Sequence, residues 1–270
     1  TYRGDSARSG VTDSGVPEEI APAWRASLPG RVTPLTVANG TVFAACPDRH
    51  EVIALDADSG GTRWSFVADA RVDSPPTVHG GQALFGCRDG SVYALRASDG
   101  VPAWRRRIAR RAHLLCAEGQ LESVWPVHGS VLVHGDTLYA TAGRSSYLDG
   151  GIDLCRLDPA SGRLLSRTSI SSPDPETGRQ PPQYGPNQMP GARADLLSAE
   201  GETVYLRDLL FGADGRRLEK RTPHLFTLTD FLDDSGTHRS YWVVADAPSI
   251  STGCSGAARN LIRGRLLSVD

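Results

Sequence analysis

Lysine is almost missing from this chain: Lys220 is the only one among 29 lysine and arginine residues, and the bias of GC-rich coding DNA accounts for arginine taking its place. Adjacent cysteines and Cys-x-x-Cys spacings are absent among Cys46, Cys87, Cys116, Cys155 and Cys254. Zinc knuckles and thioredoxin-type chemistry are thereby excluded, and an odd count leaves at least one thiol without an intramolecular partner. No apolar run approaches the roughly 20 residues of a membrane-spanning helix. Excess charge is lacking too. A net charge of -2 argues against a generic nucleic-acid binder, and 39% hydrophobic residues argue against disorder. The chain opens TYRGDSARSG without an initiator Met or an apolar leader, as after removal of a signal peptide or within a longer protein.

What is abundant is punctuation: 29 glycines and 18 prolines, which imply many turns and many short elements. They are organised by a repeat. ALDADSGGTRW (54–64) recurs 40 residues later as ALRASDGVPAW (94–104), and Trp24 lies 40 residues before Trp64. A third copy, RLDPASGRLLS (156–166), keeps the turn from Asp158 to Gly162 but ends on Ser166; weaker copies follow at 209–218 and 265–270. Between the copies stand short apolar runs joined by Asn39-Gly40, Gly80-Gly81, Asp89-Gly90 and Gly135-Asp136, all hairpin chemistry. LLSAEGE (196–202) briefly imitates a helix, but no long segment sustains a helical period.

Four short strands in about 40 residues is the period of a β-propeller blade. The fold class is therefore all-β: four-stranded antiparallel blades, five of them recognisable, forming an incomplete part of a seven- or eight-bladed ring. The approximate units are 24–64, 65–104, 105–166, 167–219 and 220–270 of one domain, with 1–23 as a lead-in whose strand runs from Tyr2 to Val11. Asp56 to Gly60, Gly100, and Asp158 to Gly162 turn the third strand of a unit into its fourth. Trp24, Trp64 and Trp104 on the outer strands reach the neighbouring blade, which makes them structural residues.

The copy ALDADSGGTRW resembles the tryptophan-docking repeat of the PQQ-type, or quinoprotein-like, β-propellers, and the resemblance runs from about Trp24 to Asp270. That family includes quinone-dependent alcohol dehydrogenases and the scaffold lipoprotein of the bacterial outer-membrane assembly machine. The resemblance implies export to the periplasm or cell surface. For a dehydrogenase it also implies PQQ with calcium, an adjacent Cys-Cys disulfide and a carboxylate base, and this chain has no adjacent cysteines.

Function in such folds sits where loops exceed the minimal blade. Four segments do: 105–129, 143–151, 168–191 and 247–264. In the four-stranded register all emerge on one face, that of the B–C turns and D–A connections. The chemically loaded residues there are Glu122, Trp125, His128, Arg144, Ser146, Tyr147 and Asp149, a set suited to a polar ligand. A structural role has Arg144 and Asp149 stapling the long hairpin and Trp125 filling a small loop core. Asp233, Asp234, His238 and Arg239 form a second cluster, in an A–B turn on the other face. His79 and His134 lie in A–B turns and read as exposed. RRRIARR (105–111) reads as a solvated edge strand. No nucleophile, metal or phosphate motif is present. The expectation is a non-catalytic scaffold for a protein or glycan partner, without metal or cofactor. Its alternatives are a PQQ dehydrogenase and a lyase or hydrolase acting on polysaccharide.

Overall fold

The computed structural model describes residues 1–15, 17–179, 192–227, 242–246, 262–264 and 267–268. Its only helix among these is a single 3-10 turn, Pro47–Arg49. The first sheet comprises β1 (Thr36–Ala38), β2 (Thr41–Cys46), β3 (Glu51–Asp56) and β4 (Thr62–Val67). The second comprises β5 (Thr77–His79), β6 (Gln82–Cys87), β7 (Ser91–Arg96) and β8 (Pro102–Arg107). A separate hairpin follows, β9 (Leu114–Ala117) and β10 (Gln120–Ser123). The third sheet holds β11 (Val127–His134), β12 (Thr137–Ala142), β13 (Ile152–Leu157) and β14 (Leu164–Ile170). In the fourth are β15 (Leu197–Glu200), β16 (Thr203–Leu206), β17 (Leu209–Gly212) and β18 (Arg217–Leu218). A fifth has three described strands, β19 (His224–Thr227), β20 (Trp242–Ala245) and β21 (Ile262–Gly264). Each of the five is an antiparallel meander in chain order, and the first strands of successive sheets lie side by side. These are propeller blades.

The sheets stack face to face because their central strands are apolar on both sides. Phe43, Ala45, Val52 and Trp64 of the first sheet bury against Ala83, Phe85, Tyr93 and Leu95 of the second. The next seam joins Leu84, Val92 and Ala94 to Val131, Leu138 and Ala140. The third joins Leu132, Tyr139 and Leu154 to Leu197, Val204 and Phe211. On the far side of the first sheet Val42, Ile53 and Leu55 are covered by Trp24, Ala26 and Leu28.

LLSAEGE contributes strand β15, as the absence of a sustained helical period implies, because its alternate residues are needed by the seam. One expectation changes. The lead-in from Tyr2 to Val11 is not a strand: Arg3, Gly4, Arg8 and Gly10 all take positive φ, which coils the backbone into turns. The coil lies against the innermost strands. Arg8 is fully buried there, and its guanidinium donates to the carbonyls of Tyr2 (2.8 Å), Leu197 (3.2 Å) and Ser130 (3.3 Å). Ser6 and the Gly201 carbonyl take up His134, at 3.2 Å from Nδ1 and 2.7 Å from Nε2. His134 is thus a half-buried link between the lead-in and the fourth sheet, not a free surface residue; His79 is exposed.

Candidate functional site

The seams are made by one device used three times. The indole N–H of Trp24 donates to the Ala57 carbonyl at 2.8 Å, that of Trp64 to Ala97 at 2.9 Å and that of Trp104 to Pro159 at 3.1 Å. Each ring rests on a turn glycine of the next sheet, Gly60, Gly100 or Gly162, where a Cβ would come within 2.7 Å of ring carbons. Asp56 and Asp158 shape these turns by accepting from Ser59 N (2.9 Å) and Ser161 N (2.8 Å). Arg63 and Ser59 hold the Asp56 carboxyl below the usual carboxylate range, and Ser161 does the same for Asp158.

At the end of the sheets where B–C turns and D–A connections emerge, four segments converge. The connection before β5 brings Arg71 and Asp73, and the β6–β7 turn brings Arg88. The connection before β11 brings Glu118, Glu122 and Trp125, and the β12–β13 turn brings Arg144, Ser146, Tyr147 and Asp149. The second of these connections is not a plain loop. Glu118 and Gly119 both take positive φ, the two-residue turn that matches strand twist, and close the β9–β10 hairpin.

Glu122 points from that hairpin into the protein and is completely buried. Its carboxylate accepts from Arg71 Nη2 (2.5 Å) and Nε (3.1 Å), Arg88 Nη1 (3.0 Å) and Arg144 Nη2 (3.3 Å). Arg88 Nε in turn donates to buried Asp73 at 2.9 Å, and Arg71 also pairs with Glu118. Burial disfavours the charge on Arg71, but its bonds to Glu118 and Glu122 outweigh that and raise its pKa. Buried ions persist only when paired in this way. The network joins the second and third blades through the hairpin between them and fixes the loops that carry it.

The remaining residues are placed as follows. Trp125 is buried, packs with Ile108 and Ala109, and donates Nε1–H to the Asp149 carbonyl at 2.9 Å. The staple of the long hairpin is therefore Arg144 to Glu122 and to the Ser123 carbonyl (3.2 Å), not Arg144 to Asp149. Asp149 is exposed at φ 53°, so its carboxylate turns outward while its carbonyl serves Trp125. Ser146 is a buried hub: its hydroxyl pairs with Ser172 and accepts from Ala192 N at 2.8 Å. Tyr147 is half-buried, and His128 pairs in register with Thr141 on β11. Asp233, Asp234, His238 and Arg239 lie outside the described residues, as does most of 247–264.

The arginines of RRRIARR are exposed but partly paired: Arg105 on outer strand β8 pairs with Asp69 at 2.6 Å and with buried Asp89, and Arg110 pairs with buried Asp153 at 2.6 Å beside Arg167. Arg71, Asp73, Arg88 and Arg8 escaped sequence reasoning because no period or motif marks a charge that tertiary contacts will bury. The one hint is charged residues directly abutting an all-apolar strand, as Arg88 abuts ALFGC (83–87).

A dehydrogenase of this fold would need a place for PQQ and calcium. Among the described residues no three His, Cys, Asp or Glu side chains converge as a metal site, and buried Glu122 and Asp73 are taken up by arginines. Cys46, Cys87 and Cys155 are each buried as single thiols.

Comparison with known proteins agrees with the fold. Serine/threonine-protein kinase AfsK of Streptomyces griseus is 38% identical over 107 residues, 37% of this chain and 12% of that protein. The outer membrane protein assembly factor BamB of Pseudomonas aeruginosa is 32% identical over 108 residues, 39% of this chain and 25% of that one. The matches thus span a quarter or less of these curated relatives. Quinohemoprotein alcohol dehydrogenase from Comamonas testosteroni superposes with a TM-score of 0.54 at 15% identity, covering 80% of this chain and 41% of that one. A kinase and an assembly factor match this chain in sequence and a dehydrogenase shares its fold, so the fold specifies architecture and not activity. A family model described as outer membrane protein assembly factor BamB matches residues 19–181, and the chain belongs to that family of PQQ-type repeat propellers.

Proposed function

We propose that the chain is a non-catalytic binding scaffold, working in the periplasm or at the cell surface, that presents its loop-rich end to a protein partner. The observation that supports this reading is the buried Glu122 with its three arginines. It turns four loops into a rigid platform in which both buried carboxylates, Glu122 and Asp73, are held by arginines rather than left available for proton transfer. What the platform offers outward at the β12–β13 turn is the apolar side chain of Leu148 (55% exposed). Such surface suits a protein better than a polar glycan. Export rests on family membership, and no helix among the described residues is long and apolar enough to cross a membrane.

A photo-crosslinking residue at position 148, with one at 79 on the opposite end as control, tests the reading in the native host. A specific protein captured from 148 and not from 79 is expected. Equal capture from both sites, or capture from neither together with binding on an array of acidic and neutral glycans, overturns it. Adding PQQ and calcium should leave the melting temperature unchanged; a rise would favour the dehydrogenase instead.

A further inference from the structure

The β9–β10 hairpin has one side built into the fold and one side turned away from it. Inward, Gln120 Oε1 meets His50 Nε2 at 3.1 Å, Glu122 is buried and Ser123 N donates to the Arg88 carbonyl at 2.7 Å. Outward, the register opposes Leu121 to Cys116 and Leu114 to Ser123, so Leu114, Cys116 and Leu121 share one face. Leu114 and Leu121 are more than half exposed, and Cys116 is exposed.

The edge of this small sheet differs from the other outer edges. Among the described residues β9 has β10 as its only strand partner, so one row of its backbone N–H and C=O groups meets no strand. Outer strands β4, β8 and β14 carry Arg63, Arg105 to Arg107 and Arg167, charges of the kind that keep edges from pairing. Strand β9, Leu-Leu-Cys-Ala, has no charge, no proline and no bulge. Its ends have opposite sign: exposed Arg111 and His113 precede it and Glu118 follows it.

We propose that β9 pairs antiparallel with β9 of a second copy of this chain, about a two-fold axis through Leu115, to give a four-stranded sheet. An antiparallel edge is the self-complementary kind that a two-fold dimer requires. With Leu115 on the axis, Leu114 of one copy lies opposite Cys116 of the other. Leu121, Cys116 and the second copy's Leu114 then form one unbroken apolar row. The Arg111 and His113 end of each strand comes beside the Glu118 end of the other, which fixes the direction of pairing. This self-association is independent of the partner proposed above, because it uses the edge of the hairpin rather than the β12–β13 turn.

The test is sedimentation equilibrium of the full chain over a concentration series. A monomer–dimer equilibrium is expected, and Leu114→Lys should weaken it at least about tenfold, roughly 1.4 kcal/mol. Leu148→Lys, outside the hairpin, should leave it unchanged. In a Cys254→Ser background, Leu114→Cys should give a covalent dimer under mild oxidation, since directly opposed antiparallel residues are about 4.5–5.5 Å apart at Cα. Leu121→Cys should not. A monomer at every concentration overturns the proposal. So does a dimer that ignores Leu114→Lys and forms no bond between position 114 and Cys116.

Discussion

The ring of Trp64 rests on Gly100. A methyl group at Gly100 would meet indole carbons at 2.7 Å, and the indole N–H reaches the Ala97 carbonyl of the same turn at 2.9 Å. This contact joins the outer strand of one sheet to the third turn of the next. It explains why tryptophan and glycine recur together at a spacing of 40 residues. The seams at Trp24, Trp64 and Trp104 use both, whereas the seam between the third and fourth sheets has Ser166 in place of the tryptophan.

Gly100→Ala should therefore cost more than its backbone conformation alone requires. A left-handed alanine costs about 1–2 kcal/mol, and forcing it against an aromatic ring adds about 1–3 kcal/mol. Gly119, at nearly the same φ but with nothing within 4 Å, is the control. Urea unfolding of Gly100→Ala and Gly119→Ala should separate the two costs; equal midpoints would show that the ring yields freely.

Glu122→Gln leaves Arg71 and Arg88 buried without their shared counter-charge. Breaking one side of a buried ion pair costs about 3–5 kcal/mol, and that loss is expected in chemical denaturation. Glu118→Gln, at the solvent-exposed partner of buried Arg71, leaves Arg71 its bond to Glu122 and should cost less, about 1 kcal/mol.

Arg8→Lys should not rescue Arg8→Ala. The guanidinium divides its donors among Tyr2, Leu197 and Ser130, whereas an ammonium is a single point that cannot reach both β11 and β15. Burial, partly offset by Tyr2 and Asp5, brings the Arg8 pKa down to about 10. Both variants should lose about 2–3 kcal/mol, read from denaturation midpoints. Wild-type stability for the lysine variant would sink this account.

Acid should weaken the seam at Asp153. Burial alone would raise its pKa, but hydrogen bonds from Arg110, Ser169 and Arg167 outweigh burial and hold the carboxyl below its ordinary value. Its stabilisation is complete above the unfolded value of about 3.9 and is lost as pH falls through the lower folded value. Asp153→Asn should lower stability at neutral pH and flatten its decline on the acid side. An unchanged acid limb would assign that decline to other carboxylates.

Thiol reactivity should separate one cysteine from three. Burial raises the pKa of Cys46, pushes Cys155 up to about 12 and moves Cys87 well above its usual value. With Cys254→Ser, a maleimide should label Cys116 within minutes and the other three only after unfolding. Early labelling at Cys87 would mean that its seam opens readily.

The repeat, its turns and the role of its tryptophans were legible in the sequence because they are local. Asp56, Gly60 and Trp64 lie within one unit, and their chemistry reads the same in each copy. Strand β15 was ambiguous because seven residues do not distinguish two periods, and only the seam with Leu132 and Leu154 settles it. The convergence of 105–129 and 143–151 on one end followed from counting strands. What those loops do to one another did not. Arg71, Arg88, Glu122 and Arg144 come from four segments of chain, and nothing along the sequence says that they meet. Nor does anything mark Arg8 as buried, since two of its acceptors are backbone carbonyls of strands more than a hundred residues away. The sequence by itself determined blade architecture through short-range turn chemistry and apolar alternation. Tertiary structure alone decided which charges are paired and buried and which surface is left for a partner, because burial depends on distant segments packing together.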